Sequence, residues 1–131
     1  MQFVDTSFWF GLRVTRDRRH EEAAAIWKKA DASLVTTNVV IGESFTTMRR
    51  GLGHERAVAF VDGVVESPRV SVHRIEAPLE TEAWDWLRRH DERIYSFVDA
   101  TSFALMRSLG INEALAFDGN FAAAGFTELR V

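Results

Sequence analysis

The sequence predicts an α/β fold: a three-layer α/β/α sandwich with a central parallel sheet. Three observations predict it. Short apolar runs alternate with amphipathic helix-patterned segments from the first residue to the last. No repeat, low-complexity stretch or linker interrupts that alternation, and the only prolines, Pro68 and Pro78, fall at element boundaries. The chain has 131 residues, 47% of them hydrophobic and 27% charged, which suits a single domain over 1–131 with a real core.

The elements follow in order. "QFVDT" (2–6) is a short apolar strand, and "SFWFGLR" after it has the length of a short helix. "RRHEEAAAIWKKAD" (18–31) is amphipathic and alanine-rich, and "SLVTT" (33–37) is a second strand. "NVVIGESFTTMRRG" (38–51) opens on an asparagine in capping position and keeps helical spacing through Val39, Ile41 and Phe45, until Gly51 and Gly53 break it. "HERAVAFVDGVVES" (54–67) is a further helix, and "RVSVHRI" (69–75) alternates as a strand. "PLETEAWDWLRRHDE" (78–92) starts with proline in the first turn of a helix. "FVDATSFALMRSLG" (97–110) is an apolar helix closed by Gly110. "EALAFD" (113–118) is a strand, "GNFAAAG" a turn or short helix, and "FTELRV" (126–131) a last strand.

Composition narrows the function classes. There is no cysteine, which removes disulfides, thiolate metal sites and a cysteine nucleophile. No apolar run reaches the length of a membrane span, and the start, "MQFVDTSFWF", lacks the basic region of a signal peptide. A cytoplasmic location with no membrane partner is the expectation. The net charge is −3, yet fourteen of the sixteen basic residues are arginines, several of them clustered at 13–19, 49–50 and 88–93. Arginine is the better phosphate fork, and these clusters also suit ordinary solvated faces. His20, His54, His73 and His90 are scattered and form no ligand set.

The chemistry lies in the acids. In a parallel sheet covered on both faces, ligands bind beyond the carboxyl ends of the strands. Asp5 and Asp118 end two strands and so share one edge. Asp99 lies in the first turn of the helix that precedes "EALAFD", and Glu43 lies between Ile41 and Phe45. Each has a plainer reading: Asp5 and Asp99 as helix caps, Asp118 before Gly119 as a turn former, Glu43 as a partly exposed helix residue. Taken together they form a set of carboxylates that repel one another and raise each other's pKa. A divalent cation removes that conflict, and oxygen ligands alone point to Mg²⁺ or Mn²⁺.

The stretches "FVDTSFW", "TTNVVIGESF", "YSFVDATSFALM" and "ALAFDGNFAAAGF" resemble the four motifs of a PIN domain of the VapC toxin type, and the resemblance covers the chain from Phe3 to Val131. It implies that Asp5, Glu43, Asp99 and Asp118 are the family's acidic metal site, with Thr6 and Asn38 in supporting positions. It implies a metal-dependent endoribonuclease that is a homodimer and is inhibited by a VapB-type antitoxin. Such toxins cut transfer RNA or the sarcin–ricin loop of ribosomal RNA, and "WLRRHDERIYSFVDATSFALM" resembles the members that attack that loop. Metal-assisted phosphodiester hydrolysis needs an activated water and neutralised charge, which carboxylate-held metal supplies. The main alternative is a non-catalytic RNA- or protein-binding module that kept the fold. A receiver or phosphatase would need a lysine late in the chain, and none follows Lys29. "SFWFGL" carries more apolar bulk than one helix face can bury, so of Trp9 and Phe10 one is expected to point inward and the other outward, toward an apolar antitoxin segment.

Overall fold

The computed structural model describes residues 1–131. Five strands form one sheet: β1 (Gln2–Val4), β2 (Leu34–Thr37), β3 (Val70–His73), β4 (Glu113–Leu115) and β5 (Thr127–Glu128). Their order is β3-β2-β1-β4-β5, and every pair is parallel. Seven helices flank it: α1 (Thr6–Arg13), α2 (His20–Lys29), α3 (Asn38–Leu52), α4 (His54–Glu66), α5 (Ala77–Arg89), α6 (Phe97–Leu109) and α7 (Asn120–Ala123). This is the expected parallel α/β/α sandwich. No helix is long and apolar enough to cross a membrane.

β1 is the central strand, and all three of its residues are buried. Its side chains have helices on both faces, as in parallel sheets generally. The core gathers Phe3, Phe8, Trp9, Leu34, Phe103, Leu115 and Phe121, each at most 1% exposed. Phe103 meets Phe121 edge-on at 5.0 Å and Trp86 at 5.1 Å, tying α5 and α6 to α7. Across the sheet, Thr36 donates its hydroxyl to the Val4 carbonyl at 2.9 Å. A buried polar side chain is satisfied there rather than left as a cost.

Differences from expectation lie at element ends. The cap of α3 is Thr37, whose hydroxyl accepts from the Val40 N–H at 3.0 Å; Asn38 is already the first helical residue. β4 ends at Leu115 instead of running to Asp118, because the Phe117 N–H turns to the Ser7 hydroxyl at 2.9 Å. β5 keeps two residues of the six expected. Glu128 points at the N–H groups of Gly119 and Ala122, and Arg130 donates to the Ala116 carbonyl. α6 ends on Gly110 in the left-handed region at φ 68°, where glycine carries no penalty.

Candidate functional site

One cleft of about 570 Å³ opens beyond the carboxyl ends of β1 and β4, and Asp5, Glu43, Asp99 and Asp118 all line it. Each acid arrives by a different local route.

Asp5 follows β1 directly. Its own N–H stays bound to the Leu115 carbonyl at 3.0 Å, so the end of β4 fixes its backbone. Its carboxylate caps α1, accepting from the Ser7 N–H at 3.2 Å and the Ser7 hydroxyl at 2.8 Å. Only 3% of the residue is exposed. Burial and then the nearby Asp118 charge push its pKa from 3.8 up to about 7, against the pull of the Ser7 hydrogen bonds; Asp99 adds a further upward push.

Asp99 is the third residue of α6 and half of a capping box. Its carboxylate accepts from the Ser96 N–H at 3.0 Å, while the Ser96 hydroxyl accepts from the Asp99 N–H at 2.9 Å. Asn120 donates its side-chain amide to the same carboxylate oxygen at 3.0 Å. Burial still raises the Asp99 pKa, with the Glu43 charge adding to it and these hydrogen bonds opposing it. Asp118 stands exposed at the lip. Its pKa is also raised, first by the low-dielectric wall of the cleft and then by Asp99 and Glu128, while the Asn120 N–H and Arg93 oppose the rise. Glu43 projects from α3 into the cleft and is exposed.

The plainer readings therefore describe real contacts: Asp5 and Asp99 do cap helices, and Asp118 accepts from the N–H two residues on, as a turn residue does. The same contacts hold the carboxylates facing one cleft. Thr6 lines the cleft too, and its buried hydroxyl has no hydrogen-bond partner within the chain. Asn38 lies outside the cleft, where its side-chain carbonyl accepts from the Ile75 N–H at 2.8 Å and ties α3 to the segment after β3.

Sequence reasoning passed over three residues. Ser7 and Asn120 each stand two positions after a site aspartate and fix a site carboxylate. Arg93 donates to the Asn120 side chain at 2.6 Å and to the Asp118 carbonyl at 3.2 Å, bracing the lip. The Asp-x-Ser and Asp-x-Asn spacing is a signal for the first two, since an aspartate carboxylate commonly accepts from the backbone N–H two residues on, as Asp5 does from Ser7 and Asp118 from Asn120. Nothing local marks Arg93, which reaches its partners across 25 and 27 residues.

Of the clustered arginines, Arg18 and Arg19 line the cleft, whereas Arg13 and Arg16 line a separate cavity. Trp9 points inward and is 1% exposed, while Phe10 is half-buried and lines the cleft.

The donor set fits a hard divalent cation: carboxylates, a free hydroxyl and no nitrogen or sulfur ligand. As the side chains stand, no three acids converge closely enough to hold one ion. They rim the cleft, with Asp5, Asp99 and Asp118 all raised in pKa. Raised carboxylates around one opening are the electrostatic condition that a cation relieves.

The PIN-domain family model matches residues 3–127. The chain is a PIN domain. The 23S rRNA-specific endonuclease VapC20 of Mycobacterium tuberculosis is 52% identical to it over 130 residues, covering 99% of this chain and 98% of that protein. The crystal structure of VapC20, described as a sarcin–ricin loop cleaving toxin, matches with a TM-score of 0.96 at 50% identity, over the full length of both chains. More distant PIN-like folds include a chain of a toxin–antitoxin complex from Klebsiella pneumoniae, at TM-score 0.63 and 12% identity, covering 87% of this chain and 83% of that one. FitAcB from Neisseria gonorrhoeae matches at TM-score 0.68 and 14% identity, covering 98% and 96%. At such identities the likeness is one of fold.

Proposed function

We propose that this single PIN domain, residues 1–131, is the toxin of a type II toxin–antitoxin pair and a Mg²⁺- or Mn²⁺-dependent endoribonuclease that cuts the sarcin–ricin loop of 23S ribosomal RNA. The observation that carries the chemistry is the cleft rimmed by Asp5, Glu43, Asp99 and Asp118. The choice of RNA rests on the likeness to VapC20 along the whole chain.

In this reading Asp5, Asp99 and Asp118 hold the cation, with Glu43 and the Thr6 hydroxyl beside it. When bound, the metal supplies charge neutralisation on the phosphate and a more acidic water. The chain does the rest. Ser7 fixes the Asp5 carboxylate, and Ser96 and Asn120 fix that of Asp99. Such supporting hydrogen bonds orient oxygen ligands and set their basicity. Arg18 lines the same cleft and offers a fork to a phosphate oxygen. The cleft's open mouth suits an unpaired, splayed loop better than a duplex, whose narrow major groove hides its base edges.

The partner is a VapB-type antitoxin, and the chain acts as a homodimer in the cytoplasm. A small, largely apolar cavity of about 290 Å³, lined by Trp9, Leu12, Trp27, Val64 and Val70 with Arg13 and Ser67 at its edge, suits an apolar antitoxin segment. Phe10 lines the nuclease cleft, so Leu12 is the residue that separates inhibition from cleavage. Leu12→Asn should weaken antitoxin inhibition and spare cleavage; unchanged inhibition would place the antitoxin elsewhere.

The deciding experiment is cleavage of a synthetic sarcin–ricin hairpin with Mg²⁺, Mn²⁺ or chelator, mapped by RNA end sequencing. Metal-dependent cutting at one position in the loop is expected. A module that only kept the fold would bind this RNA without cutting it, and cutting undiminished by chelator would sink the metal mechanism.

A further inference from the structure

A second cavity, of about 430 Å³, adjoins the acidic cleft, and three arginines line it: Arg13 from α1, Arg16 from the following loop and Arg56 from α4. Its other walls are Val14, Thr15, Met48, Leu52, Ala59 and Phe60, and it contains no acid. In a chain of net charge −3 this is an unusual concentration of one sign. None of the three arginines belongs to any of the chain's ion pairs. Arg16 is tied to the end of α3 by a 3.1 Å hydrogen bond to the Gly51 carbonyl, and the Arg13 guanidinium stands 5.6 Å over the Phe60 ring. Arg56 is exposed and carries its charge unpaired. Guanidinium groups over an apolar floor are less hydrated than lysines and bind phosphate with a fixed, bidentate geometry.

The position of this cavity gives it a use. Asp17 and Thr47 line the acidic cleft, whereas their immediate neighbours Arg16 and Met48 line the arginine cavity. The loop after α1 and the middle of α3 are thus a shared wall. From Glu43 to Leu52, α3 runs about 13.5 Å, a span of a few nucleotides.

We propose that the Arg13–Arg16–Arg56 cavity is a phosphate subsite that grips the RNA backbone a few nucleotides from the bond held at the acids. The proposal rests on the ribonuclease reading and adds to it a second, separate anchor. The acids of the cleft repel RNA until a cation fills it, and only Arg18 and Arg19 offset them there, so a further basic surface beside the cleft adds affinity. An acid-free arginine cavity sharing a wall with the cleft is that surface, and it is built for a phosphodiester rather than for a base edge.

The test uses the full-length chain. Binding of a synthetic sarcin–ricin hairpin is followed by fluorescence anisotropy in chelator across a salt series. The proteins are wild type, Arg56→Gln, Arg13→Gln, the double variant and Arg56→Lys. Each glutamine variant should weaken binding about 3–10-fold and lower the slope of log K against log salt by about one unit. Arg56→Lys should keep the slope and recover part of the affinity, because it keeps the charge and loses the fork. In metal-supported cleavage the same variants should raise KM more than they lower kcat. Arg56 makes no ion pair, so its variants should fold normally, which circular dichroism checks. Unchanged affinity and slope in the folded double variant would overturn the subsite. So would weaker inhibition by a VapB-type antitoxin with RNA binding intact, since the cavity would then serve an acidic protein segment. Because binding is read in chelator, a wild type that binds through these arginines but never cuts would refute the nuclease reading and leave the subsite standing.

Discussion

Asp5 and Asp118 belong to neighbouring parallel strands and face the same cleft, yet the protein treats them differently. Asp5 follows β1 without a gap, sits almost wholly buried and has a pKa near 7. Asp118 stands three residues past the end of β4, at an exposed lip braced by Arg93. The central strand can only deliver its acid into the interior, while the strand beside it delivers its own on a loop. The same chemical group is therefore a larger folding liability at Asp5 than at Asp118, although burial raises the pKa of both. Asp5 is therefore the acid whose ionised form gains most from a nearby cation.

The largest expected effect is one where the two acids agree. Asp5→Asn and Asp118→Asn should each lower metal-dependent cleavage of the hairpin by about 10²–10³-fold, the scale of losing one preorganised electrostatic element. Retention of more than a tenth of the rate by either variant would remove that acid from the site.

Stability should then divide them. An acid whose folded pKa is raised binds its proton more tightly when folded, so its contribution is fully present below the unfolded pKa and is lost as pH rises through the folded one. For Asp5 the window runs from 3.8 to about 7. Metal-free wild type should lose stability across that window, and Asp5→Asn should lose less, keeping only the smaller pH dependence of Asp99 and Asp118. The ceiling is about 4 kcal/mol, and we expect about 2 kcal/mol gained by Asp5→Asn at pH 8 in chelator. Asp118→Asn should gain much less. Denaturant melts at pH 5 and pH 8 decide it, and equal gains from both variants would mean that Asp5 and Asp118 burden the fold alike.

Asn120 sharpens the comparison from the other side. Its amide fixes Asp99, and its backbone N–H and its side-chain carbonyl tie in Asp118 and Arg93. Asn120→Ala should cost about 10–100-fold in metal affinity or activity. It should lower stability by about 1 kcal/mol, because the Asp99 carboxylate it leaves without this donor is buried. A titration of Mg²⁺ activation measures this, and an unaltered metal midpoint would argue against the role.

Ser7→Ala is the smallest change. It removes a donor to Asp5 and the acceptor for the Phe117 N–H. A loss of about 1 kcal/mol is expected, and its size should grow with pH as Asp5 ionises. Melts of this variant at the same two pH values check it.

Most of the architecture was legible in the sequence because helix and strand periods alternate without ambiguity. All twelve elements lie within a few residues of where their patterns put them. The misplaced end of β4 has a long-range cause: the Phe117 N–H bonds Ser7, 110 residues away, so no local pattern carries the information. The short β5 reflects a nearer bond, from the Gly119 N–H to Glu128 nine residues on. The same contrast holds at the site. The four acids announce themselves by standing in apolar runs, and Ser7 and Asn120 sit at a readable spacing. Arg93 does not, since only the folded turn brings it to Asp118. Asn38 shows the reverse error: a polar residue beside a strand end whose side chain faces the segment after β3 and leaves the cap of α3 to Thr37.

The pairing of β1 with β4 also carries a timetable. Gln2 reaches Glu113 across 111 residues, so β1 is flanked by a strand made long after it. At roughly 5–20 residues per second, a ribosome needs about 6–20 s to make what lies between them. Throughout that interval Asp5 has no Leu115 carbonyl to hold its backbone and no Asp118 across from it. A nascent copy therefore lacks the assembled cleft, which forms only once β4 and the loop carrying Asp118 have been made.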